Sequence, residues 1–130
     1  AAMVRKILPY DANAVRRNAR TIKSHSGLAM TNMFPRDSLQ KASNARSEIW
    51  SNWDEFSELA TRLETLATGL EIAADNGLSP SDGLKTKKRP TKSPANTQQA
   101  EFAAMAVDNI FGKLAKTCSS CHEKFRLKKN

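Results

Sequence analysis

The chain has 130 residues, with 21 lysines and arginines against 13 acids, and a formal net charge of +8 at neutral pH. This length suits a single domain with a modest core. No apolar run approaches the ~20 residues that a membrane-spanning helix requires, and no signal peptide is present, so we expect a soluble, mature chain without a membrane span. Basic proteins often bind nucleic acid, but this sequence has no recognition motif, and its aromatic residues do not alternate with the basic runs. We therefore expect no nucleic-acid binding.

The first predicted elements surround a proline. Ala1–Leu8 has the spacing of a helix tail about 12 Å long, which Pro9 ends. Asp11 is a suitable N-cap for a second helix, predicted from Ala12 to about Ser26. An apolar connection, Leu28–Pro35, and a polar, turn-like stretch follow it.

The third predicted helix, from Glu48 to Asp75, is the clearest in the chain. Its apolar residues recur at alternating steps of three and four over about 42 Å, and both tryptophans lie on that apolar face, which predicts core packing for them. Asn76 and Gly77 predict its end. Residues 48–75 contain seven acids and one base, so most of the positive charge lies elsewhere in the chain.

Residues 78–94 are rich in serine, proline and lysine, which predicts a mobile basic linker within one domain spanning residues 1–130. A last helix is predicted from Asn96, with Gln99 as its capping partner, to about Arg126. Its apolar face runs continuously into the chain's two cysteines. These patterns predict an all-α fold, a bundle of helices.

The last helix contains Cys118-Ser119-Ser120-Cys121-His122, and Cys-x-x-Cys-His is the spacing of a c-type haem attachment site. Two thiols add to the two haem vinyl groups, and the histidine that follows can ligate the iron. On a helix, Cys118, Cys121 and His122 are at i, i+3 and i+4 and therefore share one face. We expect covalent haem on the two cysteines, with His122 as iron ligand.

Two cysteines at this spacing have three other known uses. A redox dithiol is expected in a βαβ context, whereas the surroundings here are helical. A zinc site needs four ligands, and only His25 remains as a nitrogen donor. A disulfide across two residues would be strained on a helix. The sequence therefore lacks the further residues or the structural context that each of these three alternatives requires.

The chain resembles the cytochrome c-prime family over nearly its whole length. The similarity rests on three stretches: residues 116–126 around the haem motif, Pro9-Tyr10-Asp11, and Glu48-Ile49-Trp50 with Phe56. The resemblance implies a four-helix bundle with haem on the last helix, held by Cys118 and Cys121 with His122 as proximal ligand. It also implies that Arg126 flanks that histidine. In the family the distal residue and the dimer contacts lie on a full first helix. Here only Ala1–Leu8 precedes Pro9, so we expect the first helix to be short or missing in this chain.

The resemblance implies two alternative functions, neither of them enzymatic. One is a dedicated electron carrier whose six-coordinate, low-spin haem has methionine as second axial ligand. The other is a five-coordinate haem that binds diatomic gases, NO or CO. Haem is attached to such motifs outside the cytoplasm, so we expect an exported, periplasmic protein, compatible with a homodimer. We expect acidic redox partners, because basic side chains could ring the haem side: Arg16, Arg20, Lys113, Lys116, Lys124 and Lys128.

Each of the four methionines has a competing role. Met105 lies too far along the helix of His122 to reach the other side of the haem. Met30 and Met33 are expected in the core, as are their neighbours, and Met3 lies near the end of the remnant first helix. The sequence therefore predicts an iron that is five-coordinate or weakly ligated and that binds CO readily.

Overall fold

The computed structural model describes residues 1–79 and 97–128. Within them lie six α-helices: α1 (Ala12–Ser24), α2 (Leu28–Thr31), α3 (Glu48–Ser51), α4 (Trp53–Ala73), α5 (Thr97–Ala103) and α6 (Val107–Phe125). A 3₁₀ turn, Ala74–Asn76, extends α4. The described residues contain no strand, only an isolated bridge. The all-α prediction is confirmed. The predicted linker lies almost entirely outside the described residues, as does the Asn96 end of the predicted capping box.

The start of α1 is fixed by its predicted cap. The Asp11 carboxylate accepts hydrogen bonds from the backbone N–H groups of Asn13 (2.9 Å) and Ala14 (3.1 Å), which α1 cannot satisfy internally. The hydroxyl of Tyr10 donates to the carbonyl of Ala74, which ties the start of α1 to the end of α4.

The predicted helix tail at residues 1–8 is wrong. These residues form successive turns, with hydrogen bonds from Arg5 N to Ala1 O and from Lys6 N to Met3 O, both 3.0 Å. Lys6 has a φ of +58°, a left-handed conformation that stops a right-handed helix. In the described residues, no helix precedes Ala12.

The predicted third helix is interrupted at Asn52, where φ is −123° and ψ is 45°. The side-chain amide of Asn52 donates to the carbonyl of Glu48 at 3.3 Å, and the hydroxyl of Ser51 donates to the same carbonyl. Such local side-chain bonds compete with helix continuation. The break leaves Trp53 37% exposed, so its predicted place in the core is wrong. Trp50 is half-buried and donates from its indole nitrogen to the carbonyl of Phe34.

The predicted last helix is also broken, between α5 and α6. Ala106 is extended, with ψ of 147°. The backbone groups released there bond to the end of α4: the Asn76 amide donates to the carbonyls of Ala103 and Met105, both at 2.8 Å, and Val107 N donates to Gly77 O at 2.9 Å. Contacts with the distant segment after α4 thus set the position of this break.

Helix α4 is the centre of the molecule, with α1, α2, α5 and α6 packed against it. Its C-terminal half contributes to a first core cluster, whose buried residues are Ala19, Leu66, Ala67, Leu70, Ala73, Phe102, Val107, Ile110 and Leu114. A second, smaller cluster of Ile49, Phe56 and Phe125 lies at the other end of α4. The second cluster forms one side of the cavity described below.

Two helical glycines give a matched test of this packing. A Cβ on Gly69 in α4 would lie 2.6 Å from the Phe102 ring, whereas a Cβ on Gly112 in α6 would meet nothing within 4 Å. Gly69→Ala should therefore lower the free energy of unfolding by about 1–3 kcal/mol through overpacking. Gly112→Ala should raise it by about 0.5–1 kcal/mol through helix propensity alone. Denaturant unfolding of both variants measures this, and an equal gain in both would contradict the described α4–α5 packing.

Candidate functional site

A cavity of about 330 Å³ lies beside α6, between α4 and the segment that contains α2 and α3. Its volume is near the lower end of the range for small-molecule and cofactor sites, about 300–1,000 Å³. Most of its walls are apolar, and the lining side chains are Met30, Phe34, Ser43, Asn44, Ala45, Ile49, Phe56, Leu59, Ala60, Leu63, Thr117, Cys118, Cys121, His122, Phe125 and Arg126.

The three residues of the predicted haem motif come together at this cavity. Cys118 and Cys121 are half-buried, and His122 is exposed at the rim. Cys118 packs against the first core cluster and Cys121 against the second, so the motif lies where the two clusters meet. The shared face that the spacing predicts is therefore directed at an apolar cavity.

Burial affects the pKa of both thiols. Burial raises the pKa of Cys118. The pKa of Cys121 is also raised, first by burial and second by the charge of the neighbouring Cys118. Both cysteines are free. A reactive redox dithiol instead has a lowered pKa that favours the thiolate. The surroundings therefore favour neutral thiols at neutral pH.

An aromatic cluster forms the wall next to Cys121. The Phe56 ring lies 5.1 Å from Phe34 and 5.4 Å from Phe125, both in edge-to-face geometry. Phe56 and Phe125 are each 3% exposed. These packed rings make this side of the cavity apolar.

The chain end closes the cavity by pairing with the segment before α3. Arg46 N donates to Phe125 O at 2.9 Å, and Leu127 N donates to Asn44 O at 2.7 Å. The sequence predicted only a polar turn over Ser38–Asn44, and no motif marks this pairing. Arg126, which the resemblance places beside His122, lines the cavity four residues after it and is exposed.

The alternative nitrogen donor, His25, is not at the cavity. It caps the end of α1 through its backbone N–H, which donates to Ile22 O at 3.2 Å, and its side chain is exposed. Across residues 1–79 and 97–128, no group of three or more metal-binding side chains lies together. This gives no support to the zinc alternative.

Half of the six basic residues predicted to ring the haem side are paired with acids. Arg16 contacts Asp75 at 2.8 Å and Arg20 contacts Glu71 at 2.6 Å, while Lys124 pairs with Glu55. Lys113, Lys116 and Lys128 are exposed. None of the described helices is both long and apolar enough to cross a membrane.

A family model described as Cytochrome C' matches residues 1–94. That match ends before Cys118, so it does not depend on the motif in α6. The chain belongs to the cytochrome c-prime family.

Named proteins of known sequence or structure agree with this assignment. Cytochrome c-556 of Agrobacterium tumefaciens (strain II Chrys) is 30% identical over 129 residues, which cover 99% of this chain and 83% of that protein. A cytochrome c-prime structure from Rhodobacter sphaeroides superimposes with a TM-score of 0.68 at 25% identity, over 99% of this chain and 82% of that one. Ferric cytochrome c-prime from Alcaligenes xylosoxidans gives a TM-score of 0.64 at 22% identity, over 99% and 80%.

Cytochromes c-prime are four-helix bundles that carry iron in a covalently attached haem c, so the fold class and the cofactor follow from membership. The residues at the cavity fit that cofactor chemically. Two thiols and an imidazole lie on one helical face at the wall of an apolar cavity, which is the donor set that a c-type haem requires.

Proposed function

We propose that this chain is a periplasmic c-type cytochrome with one covalent haem, which serves single-electron transfer, the binding of small gases such as NO and CO at its iron, or both. The observation that carries the proposal is the position of Cys118, Cys121 and His122 on one wall of the apolar cavity. When bound there, haem supplies a one-electron iron couple and a coordination position open to a diatomic gas.

Each motif residue has a distinct part in holding the cofactor. The thiols of Cys118 and Cys121 would hold the porphyrin through thioether bonds, and the ring of His122 would ligate the iron. Helix α6 fixes their spacing, because all three residues belong to its last eight residues. The buried side chain of Phe125, one turn after Cys121, anchors that end of the helix in the second cluster.

The remaining walls control what reaches the iron. Phe34, Phe56 and Phe125 make one side of the cavity apolar, which favours uncharged ligands such as CO and NO. Arg126 is exposed at the mouth and places a positive charge near the cofactor edge. One related structure is a nitric oxide complex of a variant of the Alcaligenes protein, and gas binding comes to this chain as part of the proposal.

An acidic redox partner would meet the surface formed by Lys113 and Lys116 on α6, together with Lys128 at the chain end. These lysines are exposed, and they lie on or beyond the helix that carries the motif. Charges of this kind chiefly raise the rate of association. We assign no catalytic residue, because electron transfer and gas binding at a haem need no general acid or base from the chain.

The alternative function is that of a dedicated electron carrier with a six-coordinate, low-spin haem. One observation favours it: a methionine, Met30, lines the cavity. The two functions differ in whether an added gas can reach the iron.

Absorption spectra of the oxidised and reduced holoprotein, with and without CO, test the proposal. We expect a c-type spectrum whose reduced form changes when CO is added, because the proposal leaves one coordination position of the iron accessible to a gas. A colourless protein after maturation would refute the proposal. A reduced spectrum that CO leaves unchanged, with a methionine-to-iron charge-transfer band in the oxidised form, would establish the alternative.

A further inference from the structure

A second cavity, an open groove of about 540 Å³, lies beside the haem cavity. Its lining includes three aromatic side chains, Phe34, Trp50 and Trp53, together with the polar side chains of Arg36 and Asn32. Phe34 also lines the haem cavity, so the two cavities share a wall residue. Both tryptophans of the chain therefore meet at a groove that the proposed function does not use.

The two tryptophans give this groove flat aromatic surfaces. The indole nitrogen of Trp50 donates to Phe34 O at 3.2 Å, which holds the half-buried ring in place. Trp53 is 37% exposed, and its ring lies 5.7 Å from that of Phe56. The break at Asn52 separates the two helices that carry them. Since aromatic rings pair favourably by stacking or edge-to-face contact, these surfaces suit a planar aromatic ligand.

Arg36 gives the groove its charge. The side chain is exposed, and its guanidinium forms no ion pair with any described acid. Among the described residues, no acidic side chain lines the groove. A guanidinium is a planar fork of donors that can bind a carboxylate through two parallel hydrogen bonds. The exposed Asn32 adds a side-chain amide donor. Charge complementarity therefore favours an anionic ligand.

We propose that this groove binds a small aromatic carboxylate, with its ring against the indoles of Trp50 and Trp53 and its carboxylate paired with Arg36. The tryptophans select a planar ring, and the guanidinium selects the anionic group. The volume of the groove, about 540 Å³, lies within the range for small-molecule sites, about 300–1,000 Å³. The bound ligand would lie next to Phe34, and so next to the wall of the haem cavity.

Titration of the ¹⁵N-labelled holoprotein with 2-naphthoate tests the proposal. The chain has two tryptophans, so two indole N–H signals report on the groove. Both should shift until they saturate, with one Kd. Cyclohexanecarboxylate keeps the charge but has no aromatic ring, and 2-naphthamide keeps the rings but has no charge. Each should bind about tenfold more weakly than 2-naphthoate, because each lacks one of the two contacts.

Matched variants test the two contacts from the side of the protein. Arg36→Gln removes the charge and Trp53→Leu removes one aromatic surface, so each should raise the Kd for 2-naphthoate about tenfold. In Trp53→Leu, the remaining Trp50 signal reports binding. The controls are Lys41→Gln and Met33→Leu, which alter exposed side chains outside the groove lining and should leave the Kd unchanged. Met33 is 76% exposed, so its predicted place in the core is wrong.

Absence of a saturable shift of the indole signals would overturn the proposal, as would equal affinity for 2-naphthoate and cyclohexanecarboxylate. Indole shifts that appear on raising the protein concentration alone would mean that a second copy covers the groove, and would overturn it too. The comparison of ligands uses unaltered protein and stays decisive if a variant fails to fold. These signals report on the groove, whereas CO spectra and covalent haem report on the proposed function, so the two can fail separately.

Discussion

A double variant, Cys118→Ala with Cys121→Ala, should lose all covalent retention of haem. Both thiols lie at the cavity wall on one face of α6, and the alanine side chain cannot form a thioether bond. After maturation, acid-acetone extraction should remove all colour from this variant, whereas the unaltered protein should stay coloured. Each single variant should keep one thioether bond and remain coloured, with a shifted spectrum.

Ser119 and Ser120 provide the matched control for the double variant. They lie between the two cysteines on the same helix and are exposed. Replacing both with alanine alters the same turn of α6 without touching the thiols, so the haem should remain covalently attached. Colour that resists extraction in the cysteine double variant, or that is lost in the serine variant, would contradict the assignment of the two thiols.

Phe56→Ala should lower the free energy of unfolding by about 3–5 kcal/mol, more than Gly69→Ala or Trp53→Ala. Phe56 is 3% exposed, and its ring contacts the rings of Phe34, Trp53 and Phe125. Its removal would leave a void beside the cavity that the rigid backbones of α4 and α6 cannot fill. Denaturant unfolding of the holoprotein, followed by circular dichroism, measures the loss.

Trp53→Ala is the control for this prediction. Trp53 lies on the same helix and contacts the same ring at 5.7 Å, but it is 37% exposed. Its removal takes less buried area from the cluster, so the loss of stability should be smaller than for Phe56→Ala. Equal losses of stability in the two variants would contradict the central place of Phe56 in the second core cluster.

The sequence predicted helix ends correctly where the residue that sets the end interacts with backbone groups close to it in the chain. The Asp11 cap and the stop at Gly77, which has a φ of +70°, are both confirmed. The break at Asn52 was missed although its cause is local, because the apolar spacing continues through it. The break before Val107 depends on bonds from Asn76 and Gly77, which are far away in sequence, so periodicity could not reveal it.

The candidate site likewise has a part that local sequence predicts and a part that depends on tertiary packing. Cys-x-x-Cys-His identified one wall, because the chemistry of three residues on a single helix is encoded in their spacing. The rest of the cavity lining was not predictable. Met30 reaches the cavity through the turn at Gly27 and the contact of Gly27 N with Ala60 O, and the same polypeptide segment leaves Met33 exposed. Only tertiary packing distinguishes two methionines three residues apart.

Intact-mass spectrometry of the denatured, matured protein, followed by peptide mapping, tests the central claim most directly. We expect a mass equal to the polypeptide plus one haem, with the added mass on the peptide that contains Cys118 and Cys121. A polypeptide of unmodified mass, or haem found on any other peptide, would contradict it.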